Sequence, residues 1–224
     1  MISNTEKMYP AVLLLGPTGS GKTPLGEIIE KRGLCGTPCR HFDFGANLRD
    51  VVNRDRPDGQ IGLEEIDFLK GVLQSGALLE DEHFPIARRI LQSFISHNGV
   101  DGTTRIVLNG LPRHVGQARE IDQMLEVEQV IHLECTADIV LSRIRTNIGG
   151  DRADRDDDEL QTVRGKLTIY RQRTEPLLRH YIGRKVAVAA LRVTAKMTPE
   201  QMWEELDERQ LPGLRRLTEE PNSW

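Results

Sequence analysis

The sequence predicts an α/β fold in which a five-stranded parallel sheet lies between helices in three layers, and three observations lead there. Short apolar runs of four or five residues recur along the chain, helical patterns separate them, and a glycine-rich turn ending in Lys22-Thr23 joins the first run to the first helix. Alternation of this kind implies parallel pairing with right-handed crossovers.

The first run, residues 11–15, is continuously apolar and bounded by Pro10 and Gly16, the pattern of a strand covered on both faces. Similar runs follow at residues 40–43, 105–108 and 130–133 and within 186–194. Between them, helical periodicity marks residues 25–31, 63–74, 86–95, 115–125 and 139–145. The last helix is signalled by Thr198 as N-cap, Pro199 at the first helical position and Gln201 as capping-box partner. Two segments exceed simple crossovers. Residues 45–96 hold three helical stretches between the second and third strands, which predicts a small helical lobe off the sheet. Residues 146–159 (TNIGGDRADRDDDE) are polar and glycine-containing, which predicts a mobile surface loop. Residues 1–210 are expected to form one domain, with 211–224 as a C-terminal tail that frays or docks loosely.

A chain of 224 residues buries about 70% of its unfolded surface, enough for a real core. With 38% hydrophobic and 29% charged residues, it reads as globular rather than disordered. No run approaches the roughly 18 apolar residues that a membrane helix needs, and the polar start is unlike a signal peptide, so a cytoplasmic protein with no membrane partner is expected. Cys35, Cys39 and Cys135 are too few and wrongly spaced for a zinc site and read as reduced, structural thiols. A formal charge of −4 argues against a nucleic-acid partner. Arginines nevertheless gather near turns and element ends, at Arg49, Arg113, Arg143, Arg152, Arg155 and Arg164, where a guanidinium can hold a phosphate in a bidentate grip.

Gly16-Pro17-Thr18-Gly19-Ser20-Gly21-Lys22-Thr23 fits GxxxxGK[ST], and its place between a strand and a helix makes it a P-loop rather than a chance match. The glycines let backbone N–H groups wrap an anion at a helix N-terminus. Lys22 then reaches the β- and γ-phosphates of ATP, and Thr23 offers a hydroxyl to Mg²⁺. The rival dinucleotide fingerprint fails because Pro24 stands where its third glycine belongs.

From about Val12 to Leu206 the chain resembles adenylate kinases and related nucleoside monophosphate kinases in their short-lid form. Phe44-Gly45-Ala46-Asn47-Leu48-Arg49 is similar to the family's TGDLLR segment, residues 75–82 (SGALLEDE) to AGxLVxDE, and residues 109–117 (NGLPRHVGQ) to DGFPRxxxQ. Residues 174–181 (TEPLLRHY) are similar to its TxPLLxYY helix, and only eleven residues separate Arg143 from Arg155, too few for the longer lid.

The resemblance implies an ATP site made of residues 16–23 with Arg143 on the donor base. It implies an acceptor site made of Phe44, Gly45, Arg49, Leu79, Gly110, Arg113 and Gln117, in which Arg49 and Arg113 hold the phosphate and Gln117 the base edge. Lys22, Arg113, Arg155 and Arg164 are implied as catalytic, and Thr23 with Asn109, through water, as the metal site. The implied activity is transfer of the ATP γ-phosphoryl group to a nucleoside monophosphate, AMP foremost, by a monomer using Mg²⁺, with residues 44–97 as the monophosphate-binding lobe and 146–159 as the lid. Shikimate- or gluconate-kinase-like chemistry on the same scaffold fits less well with Gln117 and the long helical lobe.

Four positions depart from the family pattern. Asn109 and Ala46 stand where it has acids, Phe44 where it has a threonine near the acceptor base, and Asn147 where it has a second lid arginine. They leave open a UMP, CMP or deoxynucleotide kinase and a catalytically weakened nucleotide sensor. An aspartate at 109 is nearly isosteric, so Asn109→Asp is expected to leave packing unchanged and to lower the magnesium requirement.

Overall fold

The structure, a computed structural model, describes residues 8–54, 61–151, 160–209, 211 and 214. Among these, five parallel strands form one sheet: β1 (Tyr9–Leu15), β2 (Cys39–Asp43), β3 (Arg105–Asn109), β4 (Leu125–Glu134) and β5 (Ala187–Arg192), in the order β2-β3-β1-β4-β5. The expected fold class holds. Strand β1 shows why both faces must be apolar. Ala11, Leu13 and Leu15 pack into a cluster on one side of the sheet and Val12 and Leu14 into another on the opposite side, all five buried. Each of the valine and leucine side chains contributes roughly 1.5–3 kcal/mol of transfer free energy.

One face is covered by α1 (Lys22–Arg32) and α9 (Pro199–Glu208), through Leu25, Ile29, Met202 and Leu206. The other is covered by α2 (Phe44–Asn53), α3 (Leu63–Ser75), α4 (Phe84–His97), α5 (Val115–Ile121) and α8 (Leu177–Gly183). Helices α6 (Ala137–Thr146) and α7 (Leu160–Ile169) share a small cluster of Val140, Val163 and Leu167, and a π-helical turn, Tyr170–Thr174, links α7 to α8. Helix α9 begins as its sequence predicts, with Thr198 and Gln201 bonded reciprocally in a capping box.

Two boundaries differ from expectation by more than three residues. The helix expected over residues 115–125 ends at Ile121, and the strand expected over 130–133 begins five residues earlier, at Leu125. Residues 125–129 (LEVEQ) alternate buried with more exposed side chains in the two-residue period of a strand. The intervening turn is pinned where Asp122 takes His180 Nε2 at 2.9 Å and Arg184 Nε at 3.2 Å.

Cys35, Cys39 and Cys135 are free thiols, and burial pushes that of Cys39 up to about 12. Among the described residues no helix is long and apolar enough to cross a membrane.

Candidate active site

A single cleft runs along the carboxyl ends of the strands, where ligands of open parallel sheets bind. One wall is the glycine-rich turn. Gly19 and Gly21 adopt φ of 75° and 98°, values that other L-residues rarely take, and so curl the backbone into a concave loop. Gly16, Thr18, Gly19, Gly21, Lys22 and Thr23 line the cleft, while Pro17 and Ser20 sit buried behind the loop. Lys22 Nζ donates to the carbonyls of Gly16 and Pro17, both at 2.8 Å, which holds its charge over the loop.

Facing it are Phe44, Gly45, Leu48 and Arg49 from α2, Leu79, and the segment Gly110, Pro112, Arg113 and Gln117 after β3. Gln117 is 1% exposed, and its amide is held by backbone on both sides. Its Nε2 donates to Leu79 O and its Oε1 accepts from Arg113 N, each at 2.8 Å. His114 Nε2 also reaches Leu79 O, at 3.0 Å. The carbonyl of Arg113 accepts from Thr174 Oγ1 at 2.8 Å, which ties this segment to the π-turn. A π-turn commonly marks a functional site, and here it brings Tyr170 and Thr174 to the cleft.

Arg113 is half-buried, desolvation lowers the pKa of its guanidinium from the ordinary value, and no carboxylate among the described residues pairs with it. A desolvated cation without a counter-charge is costly. An anion entering the cleft removes that cost.

The polar floor lies between these walls, where β2, β3 and β1 run in register with Asp43 beside Asn109 and Asn109 beside Leu14. Thr23 Oγ1 donates to Asp43 Oδ2 at 2.7 Å, and Asn109 Nδ2 donates to Asp43 Oδ2 at 2.9 Å and to Thr23 Oγ1 at 3.0 Å. Asp43 Oδ1 accepts from Ala46 N at 2.9 Å, capping α2. Beneath them the ring of His41 packs against Gly26, with burial lowering its pKa. Glu27, on α1, has its pKa raised by burial and then by the charges of Asp151, Asp43 and Glu30. Asp43 thus brings negative charge to Thr23. A hydroxyl and a carboxylate in contact are hard oxygen donors, and they fit a magnesium ion.

The cleft therefore brings together most of the residues the sequence selects, but not all of them. Arg143 is 3% exposed and lies off the cleft beside Gly21, its Nη1 donating to the carbonyls of Thr194 and Met197 at 2.9 and 2.6 Å. Arg164 is exposed on α7 and does not line the cleft, whereas Lys166, two residues on, does. Arg155 and Arg152 lie outside the described residues. Sequence reasoning passed over Tyr170, which falls in no motif, and did not single out Asp151 within the expected lid segment, yet both line the cleft.

A family model described as adenylate kinase matches residues 14–186, well over half of the sequence. The chain belongs to the adenylate kinase family. Similar curated proteins carry the same name. The adenylate kinase of Haloarcula marismortui is 26% identical over 225 residues, covering 89% of this chain and 95% of the relative. That of Thermus thermophilus is 27% identical over 201 residues, covering 86% and 92%, and that of a Synechococcus strain is 29% identical over 180 residues, covering 78% and 85%.

Proposed function

We propose that this family member is a nucleoside monophosphate kinase that transfers the γ-phosphoryl group of ATP reversibly to a monophosphate, with AMP the leading acceptor. The observation that carries the reading is the half-buried Arg113 guanidinium, with no acid partner among the described residues, facing the same cleft as the Lys22 loop. Two anion sites in one cleft suit a reaction between two phosphates.

An oxygen of the acceptor phosphate forms a bond to the γ-phosphorus while the bond from that phosphorus to the β–γ bridging oxygen breaks, giving two diphosphates. Little covalent help is needed, so the residues act by position and charge. The N–H groups of residues 16–23 cradle the donor phosphates, and Lys22 neutralises charge on the moving group. Arg49 and Arg113 align the acceptor phosphate, and Phe44, Leu79, Gly110 and Gln117 surround its base. Arg143 braces the donor-base side, and Arg155 and Arg164 are assigned to catalysis from the family pattern alone.

Magnesium, when bound at Thr23 beside Asn109, supplies charge neutralisation between the donor phosphates. We assign residues 44–97 to the acceptor lobe and residues 146–159 to the lid of a cytoplasmic monomer. The departures at Asn109 and Ala46 favour a second reading, a weakened sensor that binds both nucleotides without turnover.

Chromatography of the products formed from ATP·Mg²⁺ with AMP, UMP, CMP and their deoxy forms tests both. The kinase reading expects ADP formation, fastest with AMP. Binding of ATP and AMP without product from any acceptor would leave only the sensor.

A further inference from the structure

We propose that Asp43, at the end of β2, is the carboxylate of the magnesium site, and that Asn109 is a positioning residue that holds it there. The proposal rests on the reading of the cleft as a P-loop kinase site, because that reading places a metal at Thr23.

Three observations carry it. First, the hydroxyl that a P-loop turns to the cation, Thr23 Oγ1, donates at 2.7 Å to Asp43 Oδ2 and to no other carboxylate among the described residues. Second, the side chain of Asn109 cannot take the carboxylate's place. Its Nδ2 faces two acceptors, Asp43 Oδ2 at 2.9 Å and Thr23 Oγ1 at 3.0 Å, and lies 3.4 Å from His41 Nε2. Turning the amide over would set its oxygen against the carboxylate, so the hydrogen bonds fix the NH₂ group toward the site. An NH₂ group donates hydrogen bonds and does not ligate a hard cation. Third, both walls of the cleft are cationic near the phosphates, at Lys22 and Arg113, and the acids that line the cleft among the described residues are Asp43 and Asp151, of which Asp43 touches Thr23.

The carboxylate is anchored at both oxygens. Oδ1 caps α2 through Ala46 N, and Oδ2 takes the amide of Asn109 and the hydroxyl of Thr23. Asn109 is 4% exposed, so its amide stays fixed and aims Oδ2 across one strand toward the P-loop. In this arrangement the carboxylate bonds a metal-bound water or the ion itself while Thr23 supplies the neighbouring oxygen.

The test is binding of Mn²⁺ together with a non-hydrolysable imido analogue of ATP, read by water-proton relaxation. Analogue binding in EDTA is measured alongside. Asp43→Asn keeps the shape of the side chain and, with its oxygen toward Ala46 N, the cap on α2, while its NH₂ then faces the Nδ2 of Asn109; Asp43→Ser lacks that donor–donor contact. Asp43→Asn is expected to weaken Mn²⁺ binding at least tenfold and to change metal-free analogue binding less than twofold. Asp43→Ser, a second capping residue, is expected to lose Mn²⁺ to the same extent. The exchange Asp43→Asn with Asn109→Asp returns the charge to a neighbouring strand and is expected to recover most of the Mn²⁺ affinity. Unchanged Mn²⁺ affinity in folded Asp43→Asn and Asp43→Ser proteins overturns the proposal while leaving the kinase reading intact. Failure of the wild-type protein to bind the analogue in EDTA overturns the reading of the cleft itself, and the proposal with it.

Discussion

Replacing Asn109 by aspartate turns a hydrogen-bond donor into an anion at one of the tightest points of the cleft, and the structure reverses what the near-isosteric shape of the two residues leads one to expect. The Nδ2 atom lies 2.9 Å from Asp43 Oδ2, so the substitution puts two carboxylate oxygens in contact at a position only 4% exposed. Two unit charges about 4 Å apart repel by about 4 kcal/mol at the effective dielectric of a protein surface. The lost hydrogen bond to a charged group adds about 1.5–3 kcal/mol. Rotation of the side chains and uptake of one shared proton relieve part of this. We therefore expect Asn109→Asp to lose about 2–4 kcal/mol in metal-free buffer near neutral pH, a fall of roughly 5–15 °C in the thermal midpoint of a domain this size. The shared proton is held more tightly in the folded state, so the deficit is full above the raised folded pKa and disappears as pH falls through it. Ligand that binds only the folded state returns about 2.7 kcal/mol at a hundred times its Kd, so Mg²⁺ with nucleotide should restore most of the loss. Urea melts of wild type and variant, in EDTA and in Mg²⁺ with the imido analogue, make the comparison. An unchanged midpoint in EDTA refutes the contact between residues 43 and 109.

Lys22→Ala should cut turnover by about 10²–10³, the loss of a transition-state charge contact, with little change in the circular dichroism spectrum; near-normal turnover in the folded protein removes the P-loop assignment. Arg49→Ala should weaken the acceptor by about 1.5–3 kcal/mol while sparing ATP, measured by calorimetry with each nucleotide separately. Arg113→Met should weaken the acceptor similarly yet leave the free protein as stable as wild type or more so, because it deletes a desolvated charge; a drop in both quantities contradicts that account. At Gly26 an added Cβ would come within 2.3 Å of His41 Nε2, so Gly26→Ala should destabilise by about 1–3 kcal/mol despite alanine's better helix propensity. Glu27→Gln should raise the melting midpoint at neutral pH, since the Glu27 pKa is raised and its ionised form disfavours folding; the gain should vanish as pH falls below the ordinary glutamate range, and a gain independent of pH contradicts it.

Much of this architecture was legible because local chemistry decided it. The apolar runs at Ala11 and Ile106 are strands since both faces of the sheet are covered, and Thr198, Pro199 and Gln201 start α9 through their own side chains. The turn at Gly16–Thr23 needs its glycines for positive φ, which any reading of the residues detects. Illegible were features set by partners distant in sequence. The early start of β4 depends on pairing with Tyr9 and Pro10, against a helical pattern that runs on from α5. Arg143 looked like a nucleotide contact, but its direction is set by the carbonyls of Thr194 and Met197, some fifty residues away. Lys166 rather than Arg164 lines the cleft because α7 packs by Val163 and Leu167 against α6, which turns Arg164 outward, and periodicity does not reveal which neighbour a helix will meet.

Asp43 illustrates the same point at the level of mechanism. Nothing in the string Phe42-Asp43-Phe44 distinguishes a metal carboxylate from an ordinary helix cap, and in fact it serves as one. The register supplies the rest. Adjacent parallel strands lie about 4.8 Å apart, so an acid on β2 is one strand farther from the P-loop strand than residue 109 on β3. Asp43 spans that gap to the Thr23 hydroxyl, and the residue between them is a donor that bonds the same oxygen. An aspartate at 109 would repel it and an apolar residue would leave Oδ2 with the Thr23 hydroxyl alone, whereas asparagine bonds both Asp43 and Thr23. The amide at 109 and the acid at 43 therefore make a pair, each intelligible only with the other. The pairing also joins the two halves of the cleft. One carboxylate oxygen meets the P-loop hydroxyl, and the other caps the helix that presents Arg49 to the opposite wall. A single side chain thus bonds both Thr23 and the first turn of α2, and the donor and acceptor sites share a structural element before either nucleotide arrives.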